Sequence, residues 1–133
     1  ICYETVIPHV IRRHFARLSA RGQQPDLLVN ITNDAWYWGS SELDMHLACG
    51  VFRAIECRRP LVVAANGGLS ASVDSCGRVL KKSARQVPEV IIADVSLDQR
   101  DSVYAATGDW FAGGCLVVCI GLALTSLGLK WTR

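Results

Sequence analysis

The chain has 133 residues and a mass of 14.5 kDa, the size of one domain. Half of its residues are apolar and a fifth are charged, with a mean hydropathy of +0.24, which excludes a disordered or low-complexity chain. The formal net charge of +2 is supplied by Lys130 and Arg133; the rest of the chain balances twelve basic against twelve acidic residues, so no nucleic-acid footprint is present and no nucleic-acid partner is expected.

From Thr5 to Arg21 the apolar residues Ile7, Val10, Ile11, Phe15 and Leu18 recur at three and four, with Arg12, Arg13, Arg17 and Arg21 opposite. This pattern predicts an amphipathic helix that tolerates Pro8 in its first turn and stops at Gly22. Leu27 to Ile31 is a short apolar run with little polar alternation, expected as a strand buried on both faces. A loop, TNDAWYWGS, follows it. Ser41 with Asp44 has the spacing of a capping box, and Leu43, Leu47, Val51, Ala54 and Ile55 predict a second helix to Arg58, ended by Pro60.

Leu61 to Ala65, the Asn66-Gly67-Gly68 turn and Leu69 to Val73 read as a β-hairpin. Asp74 to Gly77 turns into a third strand around Arg78 to Leu80, and a further strand is expected over Val90 to Val95. Alternation of strand and helix followed by a meander predicts an α/β layered fold with a mixed sheet. From Trp110 to Leu129 no residue is charged, and at 1.5 Å per residue a helix of this length spans ~30 Å, one bilayer core. A transmembrane helix is expected there, in which Gly113, Gly114, Gly121 and Gly128 are either close-packing positions or ordinary membrane-helix composition.

The six cysteines, Cys2, Cys49, Cys57, Cys76, Cys115 and Cys119, form no C-x-x-C pair, and His9, His14 and His46 form no H-x-x-x-H pattern, so no metal is expected. Cys49 with Cys57 in one helix and Cys115 with Cys119 in another argue against a disulfide framework. Cys2 stands just before the first predicted helix, where free N–H groups and the macrodipole favour a thiolate, although by position alone a cysteine is more often a buried structural residue. Glu4 is either a site residue or a solvated first-turn carboxylate. Asn33, Asp34 and Trp36 follow a strand end, where α/β folds place binding residues, but an Asx turn and a core plug are the plain alternatives. Trp36, Tyr37 and Trp38 cannot all face inward, and at least one is expected to face lipid. Arg53 and Glu56 are spaced to pair on one helix face, most simply as a surface bridge. Asn66 and Gly67 suit a turn.

Taken together, ICYE before an apolar helix, LLVNITNDAWYWGS, and HLACGVFRAIECRRPLVVAANGGLSASVDSCGRVL resemble the C-terminal half of the nitrilase (carbon–nitrogen hydrolase) superfamily. CYE with NDAW, and GDW running straight into an apolar helix, resemble its apolipoprotein N-acyltransferase family. The resemblance implies a nitrilase-like α-β-β-α sandwich over residues 1–109, a transmembrane helix over 110–129 and a cytoplasmic tail over 130–133, with the folded part periplasmic on a bacterial inner membrane. It implies acyl transfer from a phospholipid donor, through a cysteine thioester, to the amine of a diacylglyceryl apolipoprotein acceptor, with no cofactor. Cys2 matches the nucleophile, Tyr3 offers an oxyanion N–H, Glu4 flanks them, and Asn33, Asp34, Trp36 and Asn66 line the substrate side.

The family's Glu base and Lys precede its cysteine. This chain begins at Ile1 without Met, and neither Glu42 nor Lys81 sits in the matching block. The chain is therefore expected to be the C-terminal part of a longer protein and inactive alone. A membrane-tethered nitrilase-type amidase and a non-catalytic membrane-anchored interaction domain are the alternatives.

Overall fold

The computed structural model describes residues 2–131, with side chains through Ser126. The first predicted helix is divided by Pro8: a 3-10 turn covers Tyr3–Val6, and helix α1 runs Pro8–Ser19 with the proline at its first turn. Proline lacks the N–H that a helix interior needs, so the break falls where that donor is dispensable. Gly22, at φ +69°, follows the helix end. Strand β1 (Leu28–Asn33) leads to α2 (Glu42–Cys57), then to β2 (Leu61–Asn66), β3 (Ala71–Val73) and β4 (Val79–Lys82). A short α3 (Val103–Thr107) precedes α4 (Trp110–Trp131).

The four strands form one mixed sheet in the order β1-β2-β3-β4. β1 and β2 are parallel, with Leu28 opposite Leu61 and Asn33 opposite Asn66, as a helical crossover through α2 requires. β2 and β3 form the expected antiparallel hairpin, and β4 joins β3 with a register irregularity between Ser72 and Val73. Leu43, Leu47, Ala54, Leu61, Val63, Leu69, Ala71 and Val73 make the main core, and α1 adds Phe15 against Cys57 and Ala105. Gly50 lets α2 approach β2, because a Cβ there would stand 2.9 Å from Leu61 Cδ2.

Several expectations need correction. β1 is not buried on both faces: Asn30 and Thr32 are buried beneath the helices, whereas Val29 and Ile31 are 59% and 66% exposed. Among the described residues only one face of this edge of the sheet is covered. Val90 to Val95 forms no strand; its side chains alternate between half-buried and exposed as in a strand, but the segment shares a groove with Val62, Ala64, Ser70 and Ser72 and makes no backbone ladder. Ile91, Ala93 and Val95 are half-buried, while Val90 and Ile92 are 87% and 81% exposed. The capping box is also absent: Ser41 is αR with no side-chain cap, and Ser40 Oγ accepts from Glu42 N at 3.3 Å instead. Asp44 turns outward to Arg85.

Every described residue of α4 from Trp110 to Ser126 is exposed, and none of the described residues packs over Leu116, Val117, Val118 or Ile120. Among the described residues no helix is long and apolar enough to cross a membrane. The expected span, Trp110 to Leu129, and the tail over 130–133 run beyond the last described side chain.

Arg59 is the largest fully buried side chain. Its guanidinium donates to the carbonyls of Pro25 (2.6 Å), Arg58 (2.8 Å) and Arg100 (2.9 Å) and to Gln24 Oε1 (3.2 Å), and it lies 5.4 Å from the centre of the Phe15 ring. One cation thus closes the entry to β1, the exit of α2 and the segment before α3. Arg59→Met keeps the bulk but removes every donor, so it should destabilise the fold by roughly 3 kcal/mol, read as a lower Tm in thermal unfolding.

Candidate active site

Cys2 does not cap an α-helix, as its sequence position suggests. It precedes the four-residue 3-10 turn, and α1 begins only at Pro8, so the macrodipole is a weak support for its thiol. What holds Cys2 comes from elsewhere in the chain. Thr32 Oγ1 lies 3.1 Å from Cys2 Sγ and 2.7 Å from Asp34 Oδ1. The Cys2 carbonyl accepts from Thr5 Oγ1 at 3.0 Å and stands 3.1 Å from His46 Nε2. The other ring nitrogen of His46 is 3.0 Å from both Asp34 oxygens.

Asp34 is 3% exposed, and a carboxylate that deep requires donors on its lone pairs. The fold supplies them by bringing two structures together. β1 points Thr32 inward by strand alternation, and α2 turns His46 inward beside Leu43 and Leu47. Tyr37 packs its ring edge against His46 at 6.2 Å, and burial, followed by the nearby Asp34 charge, raises the Tyr37 pKa.

The hairpin closes the site from the other side. Asp34 N donates to Asn66 O at 2.9 Å, and Asn66 Nδ2 donates to Asn33 Oδ1 at 2.9 Å. This contact works because the turn is glycine. Gly67 has φ +66° and a Cβ there would meet Ala35 Cα at 2.7 Å, while a Cβ on Gly68 would stand 2.6 Å from Asp34 Oδ2. The turn is therefore a packing surface for the Asn33-Asp34 loop as well as a hairpin.

The structure gathers Cys2, Asn33, Asp34 and Asn66 into this region. Tyr3 is 56% exposed on the turn after Cys2. Glu4 folds back so that its Oε2 accepts from Cys2 N at 2.8 Å, and that bond holds its carboxyl well below the usual carboxylate range. Trp36 is no core plug, being 66% exposed, and Trp38 is more exposed still, with Tyr37 turned in between them. Arg53 and Glu56 do pair, at 2.7 Å, but not as a surface bridge: Arg53 is buried and also donates to Thr5 O at 3.4 Å, behind the Cys2 turn.

Among the described residues no group of His, Cys, Asp or Glu is placed to hold a metal ion, and all six cysteines are free thiols. Burial pushes the Cys57 thiol up to about 11, leaving it inert at neutral pH.

Sequence reasoning passed over Thr5, Thr32 and His46. One of them leaves a legible trace. His46 interrupts the apolar stripe of α2 and so marks a polar group on its buried face, whereas Asn30 and Thr32 beside Val29 and Ile31 would by pattern alone point outward, the reverse of what the structure shows.

The carbon-nitrogen hydrolase profile matches residues 1–105, and the chain belongs to that family. The match ends at Ala105, the last residue of the core, before α4. Within the family the chain is similar to apolipoprotein N-acyltransferases. It is 39% identical to that of Rhodopirellula baltica over 127 residues, 92% of this chain and 22% of the relative. It is 39% identical to that of Geobacter metallireducens over 116 residues, 87% and 21%, and 31% identical to that of Haemophilus ducreyi over 124 residues, 93% and 24%. The chain thus spans about a fifth of the length of these relatives.

Substituting Gly68 tests how tightly the hairpin is fitted. Gly68→Ala should cost roughly 1–3 kcal/mol by overpacking Asp34. Gly113→Ala, where a Cβ meets nothing within 4 Å, should be neutral or slightly stabilising. Thermal unfolding of the two variants side by side distinguishes them.

Proposed function

We propose that this chain is the C-terminal part of an apolipoprotein N-acyltransferase, in which Cys2 carries an acyl chain from a phospholipid to the α-amino group of a diacylglyceryl-cysteine lipoprotein. The observation that carries the reading is the extent of the similarity. An alignment covering 92% of the chain cannot end with the hydrolase core at Ala105; it runs on into α4. An amidase needs the core, whereas an enzyme that takes its acyl group from a bilayer also has use for an apolar helix at its edge. The uncovered apolar surface of α4 agrees with this, and we propose that residues 110–129 span the membrane, with residues 1–109 forming part of the catalytic domain.

In the proposed reaction a base removes the Cys2 proton and the thiolate attacks the ester carbonyl. The tetrahedral intermediate then collapses, its C–O bond breaks, and the glycerol oxygen leaves with a proton as lysophospholipid. A thioester remains on Cys2. The lipoprotein amine attacks this thioester, loses a proton, and takes the acyl group as an amide, releasing the thiol. By resemblance the base is a Glu and an oxyanion donor is a Lys, both in the part of the family's sequence that precedes the nucleophile. Glu4 engages the Cys2 N–H, so the neighbouring Tyr3 N–H is the backbone donor proposed for the oxyanion. Asn33, Asp34 and Asn66 shape the substrate side, and the exposed Trp36 meets lipid. No cofactor takes part.

Two experiments on the full-length gene product test the reading. Incubation with phospholipid and no acceptor should leave a stable acyl mass on the peptide containing Cys2, released by neutral hydroxylamine. Cys2→Ser should abolish turnover while Ala at Cys49, Cys57, Cys76, Cys115 or Cys119 leaves most of it. An acyl mass on another cysteine refutes the assignment, and rapid hydrolysis without acceptor indicates an amidase.

The second experiment addresses topology. Asp98, Asp101 and Asp109 outnumber Arg100 before α4, and Lys130 and Arg133 follow it, so the positive-inside rule places the C-terminus in the cytoplasm and the folded part in the periplasm. A reporter fused after Arg133 should be active only as a cytoplasmic one; activity as a periplasmic reporter reverses the orientation.

A further inference from the structure

Cys2 is tied to one buried carboxylate at both of its polar ends. Its thiol reaches Asp34 through Thr32 Oγ1, and its carbonyl stands 3.1 Å from Nε2 of His46, whose Nδ1 faces the same carboxylate. The chain of contacts is inside the protein: Thr5, Thr32, Asp34 and His46 are all buried, with Asn30 Nδ2 3.5 Å behind Thr5 Oγ1. Thr32 has a single hydroxyl proton and two neighbours that compete for it. An ionised carboxylate only accepts, so beside the neutral thiol Thr32 donates to Asp34 and accepts from the Cys2 S–H. Once that proton has gone, the sulfur only accepts, and the hydroxyl can rotate to donate to it. Asp34 then keeps His46 Nδ1, which lies 3.0 Å from each of its oxygens, and is not left without a donor.

We propose that Thr32, Asp34 and His46 are positioning residues for Cys2: a two-state hydroxyl at Thr32 stabilises the thiolate, and Asp34, held by His46 Nδ1, keeps that hydroxyl in place. The proposal rests on Cys2 being the nucleophile. It gives the buried polar residues of β1 and α2 a role that core packing alone does not require. The two threonines and the histidine occupy buried positions, where each polar group carries a desolvation cost unless it is bonded.

The test uses the purified full-length protein and the rate at which iodoacetamide alkylates Cys2 at pH 7, followed by mass spectrometry of its peptide. Thr32→Val preserves shape and removes the hydroxyl. It should slow alkylation about tenfold, the worth of one hydrogen bond to an ion, and lower kcat with KM for phospholipid unchanged. Thr32→Ser should restore both. Alkylation at the parental rate in Thr32→Val, or a loss that Thr32→Ser does not restore, overturns the proposal. If Thr32→Val fails to fold, His46→Gln carries the same test through Asp34, with slower alkylation supporting the proposal and a parental rate overturning it. A Cys2→Ser enzyme with full activity removes the assignment of Cys2 as nucleophile on which the proposal rests, an outcome separate from any result at Thr32.

Discussion

The burial of the Asp34 carboxylate is the constraint around which the site is arranged. A charge at that depth costs several kcal/mol unless its oxygens are met by donors held in place. The donors come from two elements, Thr32 on β1 and His46 on α2, while the Asn66 carbonyl and the Gly68 backbone of the hairpin press against the same loop. Satisfying one carboxylate therefore sets β1, α2 and the β2–β3 turn relative to one another. Cys2 hangs from this arrangement through the Thr32 hydroxyl and the His46 ring.

The parallel pairing of β1 with β2 explains why these groups converge. It brings the C-terminal residues of both strands, Asn33 and Asn66, to the same end of the sheet, and open α/β sheets place their ligand sites at that end. The α2 crossover that parallel pairing demands delivers His46 to the inner face on the way. Arg59 acts at the opposite end, where its buried guanidinium gathers carbonyls from three segments and ties α1 to the strand entries.

Membership of the carbon-nitrogen hydrolase family does not by itself separate hydrolysis from transfer, since a cysteine thioester is open to water and amine alike. The distinction falls on what surrounds the thioester. In this chain two tryptophans on the loop that carries Asp34 are exposed, and the described apolar surface of α4 is uncovered.

The elements and their order were legible in the amino-acid sequence, because they depend on local chemistry. The periodicity of Ile11 and Phe15 marks α1, the Asn-Gly-Gly turn marks the hairpin, and Pro60 marks the end of α2. Cys2, Asn33 and Asp34 stood out through a resemblance of ordered blocks rather than through spacing. Tertiary structure alone decided what each of these residues touches. The apolar run of β1 does not reveal that only one of its faces is covered, and Val90 to Val95 has the residues of a strand but joins no ladder. Nor does the sequence show that Arg53 and Arg59 lie inside the protein, or that His46, Thr32 and Thr5 meet at Cys2 from 30 to 44 positions away for the first two and from the next turn for the third. Periodicity reports which face of an element avoids water; partners distant in sequence are chosen by packing, which no local pattern encodes.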